Sequence, residues 1–221
     1  QALLPSLEID GEIITQSTAQ IEFIEETFDG PSLFPDNPIQ CARSRAFSQG
    51  IACDIHPVIG PKLQRKFQAE HGFSKTDVLA WYQYWMHHGF EALEELLRRR
   101  EVQTPFCYDD KPTVADIYLV PQLFNARRVG VDLSAYPLIL EIDERCRALP
   151  AFDNAMPQNQ PDYPGPSRWR ISFALVPGSA AGERTKYRLL RGARSIPHSS
   201  GKSNEERPRC QFITKRRIML A

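Results

Sequence analysis

Apolar and polar residues alternate along Pro5-Ser6-Leu7-Glu8-Ile9, a period of two that predicts a half-buried strand. Asp10-Gly11 follows as a tight hairpin signal, and Glu12-Ile13-Ile14-Thr15 reads as the return strand. Ser17-Thr18-Ala19-Gln20 has the form of a capping box, with Ser17 as the N-cap and Gln20 reaching back to it. Beyond it Ile21, Ile24 and Phe28 recur at helical spacing until Asp29-Gly30-Pro31 ends the pattern.

Residues 31–38 carry Pro31, Pro35 and Pro38 and read as a linker. The period then changes to that of helices. One helix is expected from about Pro38 into the 60s, bent near His56-Pro57 because proline has no N–H to donate. Ser74-Lys75-Thr76-Asp77 opens a long amphipathic helix through Trp81, Trp85, Phe90, Leu93 and Leu97 to Arg98-Arg99-Arg100. Thr113-Val114-Ala115-Asp116 caps another that ends at Arg127-Arg128, and Tyr136-Pro137 starts a last one ending near Leu149-Pro150. Trp81, Trp85 and Phe90 are expected in the core. The expected fold is α+β: residues 1–30 as a hairpin and helix, 31–38 as a linker, 39–155 as an all-helical domain and 156–221 as a tail.

Charge sharpens that division. Residues 1–162 hold 14 Lys and Arg against 24 Asp and Glu, whereas residues 163–221 hold 13 against 3. The tail also loses sustained periodicity, although Ile171–Val176 has strand-like character, and a disordered basic tail is expected. It lacks the aromatic interleaving of a nucleic-acid binder, so no nucleic-acid partner is expected. No apolar run is long enough to suggest a membrane helix, and no membrane partner is expected. The five scattered cysteines show no metal-like spacing and suit free thiols in a reducing cytoplasm, with no metal site.

Several local motifs together point further. Leu4-Pro5-Ser6-Leu7, followed by Asp10-Gly11 and Gln16-Ser17, resembles the second half of the thioredoxin-like domain of glutathione transferases. Ile51-Ala52-Cys53-Asp54-Ile55-His56-Pro57, Ala115–Gln122 with Asn125-Ala126-Arg127-Arg128, and Leu149-Pro150-Ala151-Phe152 resemble the zeta class, the maleylacetoacetate isomerase family. The resemblance runs over roughly residues 3–162. It implies an incomplete thioredoxin-like domain followed by an all-α transferase C-terminal domain, without the first βαβ unit and its Ser-rich catalytic motif. Val58-Ile59-Gly60-Pro61 also departs from the Leu-Asn-Asn pattern frequent after His-Pro in the family.

Each candidate residue has a plain structural alternative. Ser17 is an ordinary N-cap by pattern; the resemblance makes Gln16 and Ser17 the holders of the γ-glutamyl end of glutathione. Pro5 by itself starts an edge strand; the resemblance implies a cis peptide, with Leu4 pairing to the glutathione backbone. His56 is by default a half-buried structural histidine, and by resemblance a glutathione contact. Arg127 and Arg128 complement a helix C-terminus, while the resemblance makes Arg128 the anchor of a substrate carboxylate. Thr113 and Asp116 are read as a structural cap. The implied activity is conversion of maleylacetoacetate to fumarylacetoacetate in phenylalanine and tyrosine catabolism. Glutathione is the cofactor, a small dicarboxylate the substrate and a homodimer the assembly. Because the activating Ser-rich motif is absent, no catalytic residue is assigned and impaired activity is expected. The alternative is a non-catalytic, transferase-like dimerisation or binding module.

Overall fold

The computed structural model describes residues 5–161 together with Tyr163 and Gly165. Leu4, the possible strand at Ile171–Val176 and nearly all of the expected tail lie outside the described residues.

Strands β1 (Ser6–Ile9) and β2 (Glu12–Thr15) pair antiparallel with Leu7 opposite Ile14 and Ile9 opposite Glu12. Asp10 and Gly11 both take positive φ, 50° and 84°, the backbone of the two-residue turn whose twist matches the strands. Leu7 and Ile9 point inward and are buried, while Ile13 on the other strand is 64% exposed. Helix α1 (Ser17–Thr27) lies against this hairpin. Its apolar residues Ile21, Ile24 and Phe28 are half-covered, and its buried residue is Gln20.

The segment between α1 and the helical body is tied down at several points. The Glu25 carboxylate accepts hydrogen bonds from Ser32 Oγ and, at 3.0 Å, from Leu33 N, and Leu33 O accepts from Val114 N at 2.9 Å.

Helix α2 (Pro38–Gln49) is capped by Asn37, whose Oδ1 accepts from Ile39 N and Gln40 N. The expected bend is present but begins earlier than His56-Pro57. The helix widens into a π turn over Gly50–Ile55, tightens into a 3-10 turn over His56–Ile59, and breaks before α3 (Pro61–His71). Two causes converge. Pro57 cannot donate to the carbonyl one turn back, so the preceding turn must open. On the packing side, Ile55 presses into α4 where Gly89 leaves room: a Cβ at Gly89 would sit 2.3 Å from Ile55 Cγ1.

Helix α4 (Lys75–Arg98) starts in the capping box read from Ser74 and Asp77, and α5 (Val114–Arg128) in that of Thr113 and Asp116. The second box is buried. Asp116 accepts from Thr113 N and Oγ1 and from Cys107 N, and burial still raises its pKa because desolvation outweighs those bonds. Helix α6 (Pro137–Arg147) is capped from a distance: the buried Glu94 carboxylate of α4 accepts from Leu138 N and Ile139 N, both at 3.0 Å. A short α7 (Pro150–Ala155) follows, beyond the last helix expected from the pattern.

The core lies between α2 with its π turn, α4, α5 and α6, centred on Phe47, Met86, Phe90, Leu119, Leu123 and Ile139. Phe90 is fully buried, whereas Trp81 and Trp85 pack at the margin of the core. No described helix is long and apolar enough to cross a membrane.

Candidate active site

The first turn of α1 differs from the capping box its sequence suggests. Gln16 is the N-cap, Ser17 is already the first helical residue, and no side chain caps the helix. Gln20 turns away from the helix start; its Nε2 donates to Pro5 O at 3.0 Å and to Ile14 O at 2.8 Å. A buried amide needs partners, and these two carbonyls of the hairpin outcompete the helix start for it. Gln16 is held at φ 73°, ψ 119°, a strained backbone for a residue with a side chain. The first intrahelical bond runs from Gln20 N to Gln16 O, so the amides of Ser17, Thr18 and Ala19 precede the ladder. The first turn carries no acidic residue to offset the positive end of the helix dipole. The chain thus presents an uncapped helix N-terminus on a braced turn, a good receptor for a carboxylate. Pro5 sits behind it with its carbonyl committed to Gln20.

Helices α2 and α5 form the opposite wall. Thr18 Oγ1 and Tyr118 Oη lie 2.8 Å apart, and Gln49 Nε2 donates to Thr18 Oγ1 at 3.4 Å. Cys53 Sγ donates in turn to Gln49 Oε1 at 3.0 Å. A small cavity of about 100 Å³ beside this chain is lined by Thr18, Ile21, Phe34, Arg45, Gln49 and Tyr118, among others. Arg45 lies over the Phe34 ring, 4.3 Å from its centroid.

His56 stands where the π turn passes into the 3-10 turn, half-buried. Burial lowers its pKa, and its Nδ1 has no hydrogen-bond partner among the described residues. The imidazole is therefore neutral near pH 7, and its unpartnered Nδ1 is buried.

The two arginines at the end of α5 part company. Arg127 pairs with the buried Asp143 at 2.5 Å, and Arg147 joins the same carboxylate oxygen at 2.9 Å, which makes Arg127 a structural tie between α5 and α6. Arg128 is half-buried and donates from Nη2 to Asn125 Oδ1 at 2.6 Å. Burial lowers its pKa, yet a guanidinium stays charged at any physiological pH. Nearby, Gln83 Nε2 of α4 donates to Val129 O at 3.3 Å, which sets the start of α4 beside the end of α5. Tyr82 donates to Gln64 Oε1 at 3.2 Å, and burial pushes its phenol up to about 12 against the opposing pull of the Arg128 charge.

The described candidates therefore fall in three places. Pro5, Gln16 and Ser17 gather at the hairpin and the start of α1. His56 sits on the turn packed against α4. Arg128 lies ten residues along α5 from Tyr118, about 15 Å at the usual helical rise. Sequence reasoning missed Thr18, Gln49, Tyr118, Gln64 and Tyr82, whose contacts pair residues distant in the chain.

This helical body, entered through a hairpin and an uncapped helix, is that of a glutathione transferase: residues 86–155 match the family model for the glutathione S-transferase C-terminal domain. Maleylacetoacetate isomerase of Rhizobium meliloti (strain 1021) is 44% identical over 157 residues, 71% of this chain and 73% of that protein. Maleylpyruvate isomerase of Ralstonia sp is 38% identical over 162 residues, 73% of this chain and 76% of that protein. Among solved structures, the holo form of a maleylpyruvate isomerase described as a bacterial zeta-class transferase superposes with a TM-score of 0.71 at 38% identity, over 72% of this chain and 76% of that one. A maleylacetoacetate isomerase from Methylobacterium extorquens AM1, solved with malonate and glutathione bound, gives 0.71 at 32% identity, over 74% and 77%. The chain belongs to the zeta-class glutathione transferases, the maleylacetoacetate isomerase family of glutathione-using enzymes.

Proposed function

We propose that this protein is a glutathione-dependent cis–trans isomerase of a short unsaturated dicarboxylate, converting maleylacetoacetate to fumarylacetoacetate in phenylalanine and tyrosine breakdown. The observation that carries the reading is the uncapped start of α1, with Gln16 strained and the amides of Ser17, Thr18 and Ala19 ahead of the hydrogen-bonded ladder. That arrangement fits the γ-glutamyl carboxylate of glutathione, which gains both hydrogen bonds and the field of the helix.

Bound glutathione supplies the thiol chemistry at the double bond and is regenerated in each cycle. The chain's own residues bind and orient. Ser17 and its neighbouring amides hold the acidic end of the tripeptide. The neutral His56 on the turn beside α4 contributes a glutathione contact. Arg128 grips a substrate carboxylate, for which its planar fork is well shaped. Thiol activation is assigned to no residue of this chain. A substrate with two carboxylates suits a protein with a similar structure solved with malonate and glutathione bound, and another solved with dicarboxyethyl glutathione and citrate. Residues 1–30, 31–38, 39–155 and 156–221 are proposed as hairpin unit, linker, helical domain and tail. A cytoplasmic homodimer belongs to the same proposal; the unpaired Cys41, Cys53, Cys107 and Cys146 suit a reducing compartment.

Calorimetry with glutathione and an isomerase assay with maleylacetoacetate test the reading. Arg128→Ala is expected to raise KM for the dicarboxylate by about 10- to 100-fold, the weight of a charged hydrogen-bond pair, and to leave the glutathione Kd unchanged. A chain that neither binds glutathione nor turns over the substrate sinks the enzyme reading and favours the non-catalytic binding module.

A further inference from the structure

Thr18 and Tyr118 belong to the second position of α1 and the second turn of α5, far apart in sequence, yet their hydroxyls meet at 2.8 Å. Both are half-buried. Thr18 Oγ1 also accepts from Gln49 of α2, so this one hydroxyl ties the start of α1 to two helices of the body. Elsewhere α1 is tied to its own hairpin and to the segment that follows it, through Gln20 to Pro5 O and Ile14 O and through Glu25 to Ser32 and Leu33. Its apolar residues are half-covered, its buried residue is the polar Gln20, and the sheet behind it has two strands among the described residues. Rotation of the helix about its axis, or a slide along it, would re-aim the first-turn amides. An anion site made of backbone amides needs placement to about half an ångström, so something must fix that turn. The hydroxyl pair is adjacent to Ser17 and well placed to do so. The same α5 also carries Arg128 at its far end, beyond Pro121.

We propose that Tyr118 is a positioning residue for glutathione: through its hydroxyl contact with Thr18 it fixes the first turn of α1, so that the amides from Ser17 onward converge on the γ-glutamyl carboxylate. This rests on the glutathione reading above and adds the residues that make the helix start a defined site. Tyr118 does not touch the tripeptide; it acts through Thr18.

The test uses Tyr118→Phe, Thr18→Val and Thr18→Ser in the full chain, with two independent readouts. By calorimetry, Tyr118→Phe and Thr18→Val are expected to weaken glutathione binding about five- to tenfold, the worth of one net hydrogen bond, while Thr18→Ser, which keeps the hydroxyl, binds like the wild type. By hydrogen exchange, the first hydrogen-bonded amides of α1, those of residues 20–22, are expected to exchange about five- to tenfold faster in the first two variants and unchanged in the third, with α4 protected as before. Unchanged exchange at residues 20–22 overturns the positioning role whatever the protein binds. Faster exchange with an unchanged glutathione Kd overturns the link to glutathione. A wild-type chain that binds no glutathione sinks the underlying reading and this assignment with it, and the exchange pattern separates that result from failure of the contact alone.

Discussion

His56 occupies the junction of two turn types, and its surroundings set its charge. Burial lowers its pKa from the ordinary 6.5, so the folded state binds a proton less readily than the unfolded chain. The sign follows from linkage. Above pH 6.5 the residue is neutral in both states and contributes nothing. As pH falls below 6.5 the unfolded chain takes up the proton first, and folding stability declines until the folded pKa is passed. The melting temperature of the wild type is therefore expected to fall between pH 7 and pH 5 more steeply than that of His56→Gln, which cannot titrate. Parallel curves from the two proteins would refute the assignment. The sequence marks His56 through the run Ile51–Pro57, but its burial arises from packing against α4, which no local pattern encodes. Arg127 and Arg128 make the same point. Adjacent arginines at a helix end look equivalent in the chain; only the approach of Asp143 from α6 separates the structural one from the candidate ligand.

Among the elements, local signals were readable and distant ones were not. The boxes at Ser74 and Thr113 close within four residues, so the sequence displays both halves of each. The Ser17 start shows the same letters and folds otherwise, because the Gln20 amide finds carbonyls of Pro5 and Ile14. The cap on α6 comes from Glu94, beyond the reach of any local pattern. The π turn is a further case. Pro57 announces a disturbance, but its extent depends on Ile55 lodging against Gly89. Gly89→Ala would place a Cβ 2.3 Å from Ile55 Cγ1 and 2.4 Å from Cδ1, so the helices must part or the turn must shift. The expected cost is about 1–3 kcal/mol, the usual range for overpacking a filled core. Ile55→Ala removes both clashing atoms. In that background the Gly89 substitution should cost much less, and chemical denaturation of the four proteins measures the coupling. Additive losses would show that the glycine serves something other than this contact.

At the scale of the molecule, the question is whether the hairpin unit and the helical body open together. The body has a continuous core through α2, α4, α5 and α6. Among the described residues the hairpin unit has a two-stranded sheet, Leu7 and Ile9 buried beneath it, and a helix whose apolar face is half-covered. A two-stranded ribbon is marginal in water without packing partners. Its joints to the body include the polar contacts of Leu33 O with Val114 N and of Thr18 with Tyr118 and Gln49, and the Phe34 ring under Arg45. The change of period near residue 38 made this division legible, but the joints were not, since each pairs residues far apart in the chain. Local opening follows the weaker region, so amides of residues 6–15 are expected to exchange about 100-fold or more faster than those of α4 and α5, a gap of about 3 kcal/mol in opening free energy. Native-state proteolysis should cut within residues 5–37 before it cuts 38–150. Glutathione should narrow the gap, because a ligand held by the first turn of α1 stabilises the unit that carries it. Equal protection across both regions without ligand would mean that the hairpin shares the cooperative core of the helices, and the polar joints would then be a minor part of what holds the candidate site in place.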